Sequence, residues 1–91
     1  LDVQELTSEL AGKFKLKEST GVLIAKVDRG SIAEAEGLRE GDLIREVNRV
    51  EVASVNAFTA AVLKAKRGDT ILLRVLRETR AFYVVLKPTD K

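Results

Sequence analysis

The spacing of hydrophobic positions changes several times along the chain, and each change marks an element. From Leu1 to Leu6 the period is two, with Leu1, Val3 and Glu5 on one face of a strand and Asp2, Gln4 and Leu6 on the other. This predicts a half-buried edge strand. Thr7 then stands where a helix cap is needed, before a short helix carrying Leu10, Ala11 and Phe14 on one side, which Gly12 and Lys13 weaken or end. After the turn Ser19-Thr20-Gly21, the run GVLIAKV is apolar without alternation and contains β-branched residues, which predicts a central strand buried on both faces. Asp28-Arg29-Gly30 turns the chain again.

The stretch from Ser31 to Asn48, SIAEAEGLREGDLIREVN, carries the densest signals. Ser31 followed by Glu34 forms a capping box, with the hydroxyl taking the N–H of Glu34 and the carboxylate reaching back to that of Ser31. The helix lasts about two turns, because Gly37 stands where a left-handed terminating residue is needed and Leu38 follows to fold over the last turn. Gly41 supplies a second position of positive φ, Asp42 bonds nearby backbone N–H groups, and Leu43, Ile44 and Val47 begin a buried strand. After Asn48-Arg49 the pair Val50 and Val52 predicts a second small strand.

Ser54 or Asn56 caps the next helix, whose apolar stripe is Phe58, Ala61, Val62 and Ala65, widened by Val55 and Leu63, with Thr59, Lys64 and Lys66 solvated. That stripe is wider than a single contact needs, leaving room for one contact with the core and one with a groove. Arg67-Gly68-Asp69 spells an adhesion tripeptide, but its place between a helix and an alternating strand makes it a turn. TILLRVLR and RAFYVVLK then pair as a hairpin around Glu78-Thr79, with Ile71, Leu73 and Val75 on one side matching Phe82, Val84 and Leu86. Pro88 and a polar tail end the fold.

Ninety-one residues suffice for one domain, residues 1–91, with one core and no deep cleft. The chain has no Cys, which excludes disulfides, zinc-thiolate sites and thiol nucleophiles, and no His, which excludes an ordinary Ser-His-Asp centre. No catalytic residues and no metal ligands are expected. Asp28, Glu34, Glu36, Glu40 and Asp42 form the densest acidic group, but cap and turn roles account for Glu34 and Asp42, and no calcium loop or phosphate-binding loop is present, so no cofactor is expected. Sixteen basic and 14 acidic residues are mixed along the chain, which leaves no electrostatic footprint for nucleic acid. Lys13, Lys15 and Lys17 alternate with Phe14 and Leu16 and read as a solvated connection. No apolar run approaches the roughly 20 residues of a membrane span. The chain opens on Leu1 with no Met, which predicts a piece of a longer protein.

The spacing of Ala33, Ala35, Gly37-Leu38, Gly41-Asp42-Leu43-Ile44 and Val47-Asn48 resembles the PDZ domain, in particular the circularly permuted PDZ domains of bacterial HtrA (Do-like, Deg) serine proteases. Further matches run through the chain. Leu1 to Leu10 resembles the groove strand and following helix, Gly21 to Val27 the next strand, Ser54 to Lys66 the groove helix, and Arg67 to Thr70 the turn into the final hairpin. The resemblance implies a β-rich α+β fold, a partly open barrel or sandwich of five or six strands with two helices and a short helical turn. It implies a peptide added as a strand to residues 1–6, its carboxylate held by a Gly-hydrophobic loop of which Leu1 matches the last position.

The peptide-binding residues so implied are Leu1, Asp2, Val3, Gln4, Glu5 and Leu6 on the strand and Phe58, Ala61, Val62 and Ala65 on the helix. The implied partners are peptides or unfolded segments with hydrophobic C-terminal residues and a protease domain of the same parent; the implied location is the periplasm or cell envelope. Two other readings stand beside this one. The strand at residues 1–6 is merely the edge of the core sheet in a structural module that holds protease subunits together, as second PDZ domains of HtrA proteases are often credited with doing. Alternatively, the parent is another bacterial protease or a secretion protein.

Overall fold

The computed structural model describes residues 1–65 and 70–87. The expected Arg67-Gly68-Asp69 turn, Lys66 and the tail from Pro88 lie outside the described residues. In chain order the elements are β1 (Asp2–Glu5), α1 (Ser8–Lys13), β2 (Val22–Lys26), α2 (Ile32–Ala35), β3 (Leu43–Val47), β4 (Val50–Glu51), α3 (Val55–Lys64), β5 (Ile71–Arg77) and β6 (Arg80–Leu86). The strands form one antiparallel, open sheet in the order β1-β2-β3-β5-β6, with β4 paired to β3. No barrel closes.

One face of this sheet is covered along the core strands, and the other only around β2 and the start of β3. On one, Val22, Ile24, Ile44, Val47, Leu73 and Val75 pack with Ala33 and Leu38 of the α2 region and with the partly buried side of α3. On the other, Leu23 and Leu43 pack with Leu6, Ala11 and Leu16 beneath α1. Only Val22, Leu23 and Ile24 of β2 are fully enclosed, since Ala25 is half-buried and Lys26 exposed. Each fully buried Leu or Ile contributes on the order of 2 kcal/mol by removal of apolar surface from water.

Strict alternation along β3 would send Ile44 and Val47, three residues apart, to opposite faces. The ladder with β5 instead slips between Ile44 and Glu46, so Arg45 is an extra residue and both apolar side chains reach the same core. Further along, Asn48 and Arg49 both have positive φ, 51° and 70°, and make the two-residue turn into β4. Asn48 also accepts the N–H of Leu72 on its Oδ1 at 2.9 Å. Val52, expected in the small strand, lies just past it and is buried, its N–H donating to the carbonyl of Arg45.

Helix α2 is one turn, Ile32–Ala35, shorter than the two turns expected. Ser31 Oγ accepts from Glu34 N at 3.1 Å, but the Glu34 carboxylate passes Ser31 and accepts from Gly30 N at 2.7 Å, because the Ser31 N–H is already given to the Asp28 carbonyl. At the other end Gly37 has φ +92°; Leu38 N donates to the Ala33 carbonyl and Gly37 N to that of Glu34, the paired bonds of a Schellman stop. The positive φ at Gly37 ends the helix before a second turn forms.

Asp42, only 1% exposed, is the buried charge of the molecule's described part. Its Oδ2 accepts from Arg39 N at 2.9 Å, the turn bond expected. Arg77 meets it with two charge-assisted bonds, Nε to Oδ1 and Nη2 to Oδ2, both 2.7 Å. The same guanidinium donates to the Gly37 carbonyl at 2.9 Å and lies over the Phe82 ring, 4.8 Å from its centroid. Hydrogen bonding to Asp42 raises the Arg77 pKa above the ordinary arginine value. One residue of β5 thus satisfies a buried carboxylate and an orphan carbonyl just beyond α2.

Arg77→Leu is expected to destabilise the chain by about 3 kcal/mol, because Asp42 would be left enclosed without its cation. In chemical denaturation the loss should shrink when Asp42→Asn is added, and strictly additive losses would show that the pair does not act as a unit. Among glycines, Gly41→Ala should cost most, since φ is +93° and an added Cβ would overlap the Phe14 ring. Gly37→Ala carries only the conformational cost, about 1 kcal/mol, because nothing lies within 4 Å of the added atom. Gly12→Ala, inside α1 with open space around it, should be neutral or stabilising. Thermal melts rank the three variants, and equal effects at all three would contradict this account.

Candidate functional site

Strand β1 pairs with β2 along one edge, Val3 opposite Ile24 and Glu5 opposite Val22. Along its other edge no strand pairs with it among the described residues. Helix α3 lies against β1 and β3. Ser54, not Asn56, caps it, with Oγ accepting from Ala57 N at 3.1 Å. A second orphan N–H of the first turn is satisfied from the strand: Glu5 Oε2 accepts from Val55 N at 2.8 Å, across 50 residues of sequence. The carboxylate there also meets the positive end of the helix dipole. The end of β1 is thereby fastened to the start of α3.

The face that carries Glu5 also carries Leu1 and Val3, both half-buried against the core. Asp2, Gln4 and Glu5 are exposed. Leu6 turns the other way and is buried with Leu23 and Leu43 under α1, its N–H donating to the Gly21 carbonyl at 3.0 Å. Its side chain does not reach the space between β1 and α3. The register with β2 slips between Asp2↔Lys26 and Val3↔Ile24, so Ala25 of β2 is an extra residue and β1 itself runs without interruption.

On α3 the residues named from the sequence divide between flanks. Phe58, Ala61 and Val62 are partly buried against the core. Ala61 and Ala65, with Ala57 and Ala60, line a cavity of about 430 Å³ closed on its other side by Val47, Val50 and Val52 of the β3–β4 region. At about 100° per residue, the flank opposite this cavity is that of Val55, Thr59 and Val62. The structure therefore brings Val62 toward β1 and sends Ala61 and Ala65 away from it. Thr59, read as merely solvated, and Leu63, 78% exposed, stand on or beside the β1 flank. The stripe was wide enough in the sequence to hold two flanks, but not marked to say which was which.

Glu5 and Arg77 are the two polar residues whose roles the sequence reading missed. Both had a signal: each occupies an apolar-face position of a period-two strand, beside Leu1 and Val3 or beside Leu73 and Val75. A charge at such a position calls for a polar partner: Arg77 meets the buried Asp42, and Glu5, itself exposed, meets the Val55 N–H. Among the described residues no cluster of three His, Cys, Asp or Glu side chains could hold a metal ion, and no helix is long and apolar enough to cross a membrane. What the site offers chemically is a strand edge with free backbone donors and acceptors beside a helix, the arrangement to which an extended chain adds as a further strand.

A family model described as PDZ domain matches residues 3–86. The chain belongs to the PDZ domain family. Among its curated relatives, a probable periplasmic serine endoprotease, DegP-like, of Chlamydia muridarum is 41% identical over 97% of this PDZ chain, and a protein of the same description from Pseudomonas putida (strain W619) is 34% identical over 96%. The chain spans 18% of the length of each. Among solved structures, an HtrA-type protease AlgW with a decapeptide superposes with a TM-score of 0.84 at 29% identity, over 96% of this chain and 27% of that one. The HtrA3 PDZ domain bound to a phage-derived ligand, at 22% identity, has a TM-score of 0.81 over 98% of this chain and 81% of that one, and supports the fold. The PDZ fold expected from the sequence, a partly open barrel or sandwich of five or six strands with two helices and a short helical turn, is observed as six strands in one open sheet with few helices.

Removing the Glu5 carboxylate isolates its part in this site. Glu5→Ala should cost about 1 kcal/mol, as loss of a helix cap does, because Ser54 still serves Ala57. Hydrogen exchange should speed at Val55 and along the first turn of α3, leaving β5 and β6 unchanged. Unaltered exchange at Val55 would show that the bond contributes nothing in solution.

Proposed function

We propose that this PDZ chain is a non-catalytic module that captures extended or C-terminal hydrophobic peptide segments by strand addition to β1, within a serine endoprotease of the HtrA type. The observation that carries the reading is the unpaired edge of β1 fastened beside α3 by the Glu5–Val55 bond. Its ligand contacts are the backbone of Leu1 to Glu5, with Val3 and the β1 flank of α3, Val55, Thr59 and Val62, receiving alternate side chains. Asp2 and Gln4 contribute backbone only, and of Leu6, Phe58, Ala61 and Ala65 none is central to specificity. The peptides seen with the AlgW and HtrA3 structures support this reading by family likeness. The relatives' description as periplasmic endoproteases supports a cell-envelope location and a role in recruiting or sensing unfolded substrate for a protease domain of the same parent.

Titration with a hydrophobic-ended peptide, as free acid and as amide, tests the reading by NMR. Amide shifts should concentrate in Leu1 to Leu6 and in Val55 to Leu63. Backbone pairing with β1 does not need a terminal carboxylate, so the two forms should bind within about tenfold of each other. If millimolar peptide of either form moves neither segment, the groove is idle and the subunit-contact reading replaces this one.

A further inference from the structure

Among the described residues the sheet has another unpaired edge, that of β6, and it is longer and more apolar than that of β1. Strand β1 has four residues, with Asp2, Gln4 and Glu5 exposed along it. A short edge flanked by polar side chains offers less to an identical strand than a long apolar one. Strand β6 has seven residues, Arg80–Leu86, in unbroken register with β5 from Arg77↔Arg80 to Ile71↔Leu86. No described strand lies beyond it. On its exposed face stand Ala81, Tyr83 and Val85, with Tyr83 61% exposed. No proline, bulge or charge guards the middle of this edge.

The backbone points the same way. In a two-residue hairpin the closing pair, here Arg77 and Arg80, is hydrogen-bonded, and bonding alternates from there. Arg80, Phe82, Val84 and Leu86 therefore bond to β5, and the N–H and C=O groups of Ala81, Tyr83 and Val85 point outward. These are the same residues whose side chains form the exposed apolar stripe.

We propose that this edge pairs with the same edge of a second copy of the chain, antiparallel about a two-fold axis through Tyr83. The register follows from the pleat, because facing residues must point to the same side of the joined sheet. Centring on Tyr83 sets Tyr83 against its symmetry mate and Ala81 against Val85, so every outward-pointing residue exchanges both backbone bonds. A slip of one residue would set the exposed Ala81 against the buried Val84; a slip of two leaves one outward-pointing residue without a partner inside the strand. The two cations that bound the strand, Arg80 and Lys87, differ in parity and so fall on opposite faces instead of confronting each other. The exposed Ala81, Tyr83 and Val85 of the two copies then merge into one stripe. A ladder this short belongs to the transient class of interfaces, and the dimer forms and dissociates with concentration.

Because the chain has no Cys, single-cysteine variants report the register without background. Under mild oxidation of the 91-residue chain, Tyr83→Cys should crosslink to itself at least about tenfold faster than Glu9→Cys, an exposed control on α1, because pairing raises the local thiol concentration. Ala81→Cys and Val85→Cys should crosslink slowly alone and fast when mixed. Sedimentation velocity of the unaltered chain should show concentration-dependent dimer, lost on Tyr83→Lys while the melting curve is retained. Equal crosslinking at Tyr83→Cys and Glu9→Cys, or fast self-crosslinking of Val85→Cys alone, would overturn the proposed pairing. A strictly monomeric unaltered chain would overturn it as well. None of these readouts depends on peptide binding at β1.

Discussion

A buried carboxylate that must not be left alone organises this molecule. Asp42 follows the positive-φ Gly41 in the turn that admits β3 to the centre of the sheet, and it is almost wholly removed from water. Arg77 reaches it from the last position of β5 with a two-bond grip and extends to the Gly37 carbonyl. The α2 terminus, the Gly41 turn and the β5–β6 hairpin are thus held by one guanidinium.

That anchoring leaves the other side of the molecule free to be a site. With β2, β3 and β5 filling the middle of the sheet, β1 and β6 are the outer strands and α3 lies beside β1. Glu5 and Ser54 together satisfy the first turn of α3 and set the distance between strand and helix. Neither bond is strong on its own. Their value is positional, because an extended chain pairing with β1 must fit beside that helix. The two outer strands differ in length and polarity: β1 has four residues, three of them exposed and polar, and β6 has seven, with Ala81, Tyr83 and Val85 on its exposed face.

Family membership and geometry agree on a PDZ domain whose short strand β1 lies beside helix α3. The relatives are several times longer than this chain and are described as probable periplasmic serine endoproteases, so this chain matches a small part of each. With no His in the chain, the residues of an ordinary serine-protease centre cannot all come from it.

Much of this was legible in the residues themselves. The β6 hairpin partner, the caps at Thr7, Ser31 and Ser54, and the positive φ at Gly37 and Gly41 follow from local chemistry that acts over a few residues. Period-two patterning likewise predicted that Leu73, Val75 and Val84 face inward, because a pleated strand offers only two faces. What local patterning could not supply was partnership at a distance. That Arg77 belongs to Asp42, that Glu5 belongs to Val55, and that Arg45 is the extra residue turning Val47 inward depend on how distant segments meet. The split of α3 into a β1 flank and a cavity flank is of the same kind: helical spacing defines a stripe, but only the neighbours packed beside the helix decide which half of it is left to meet a ligand.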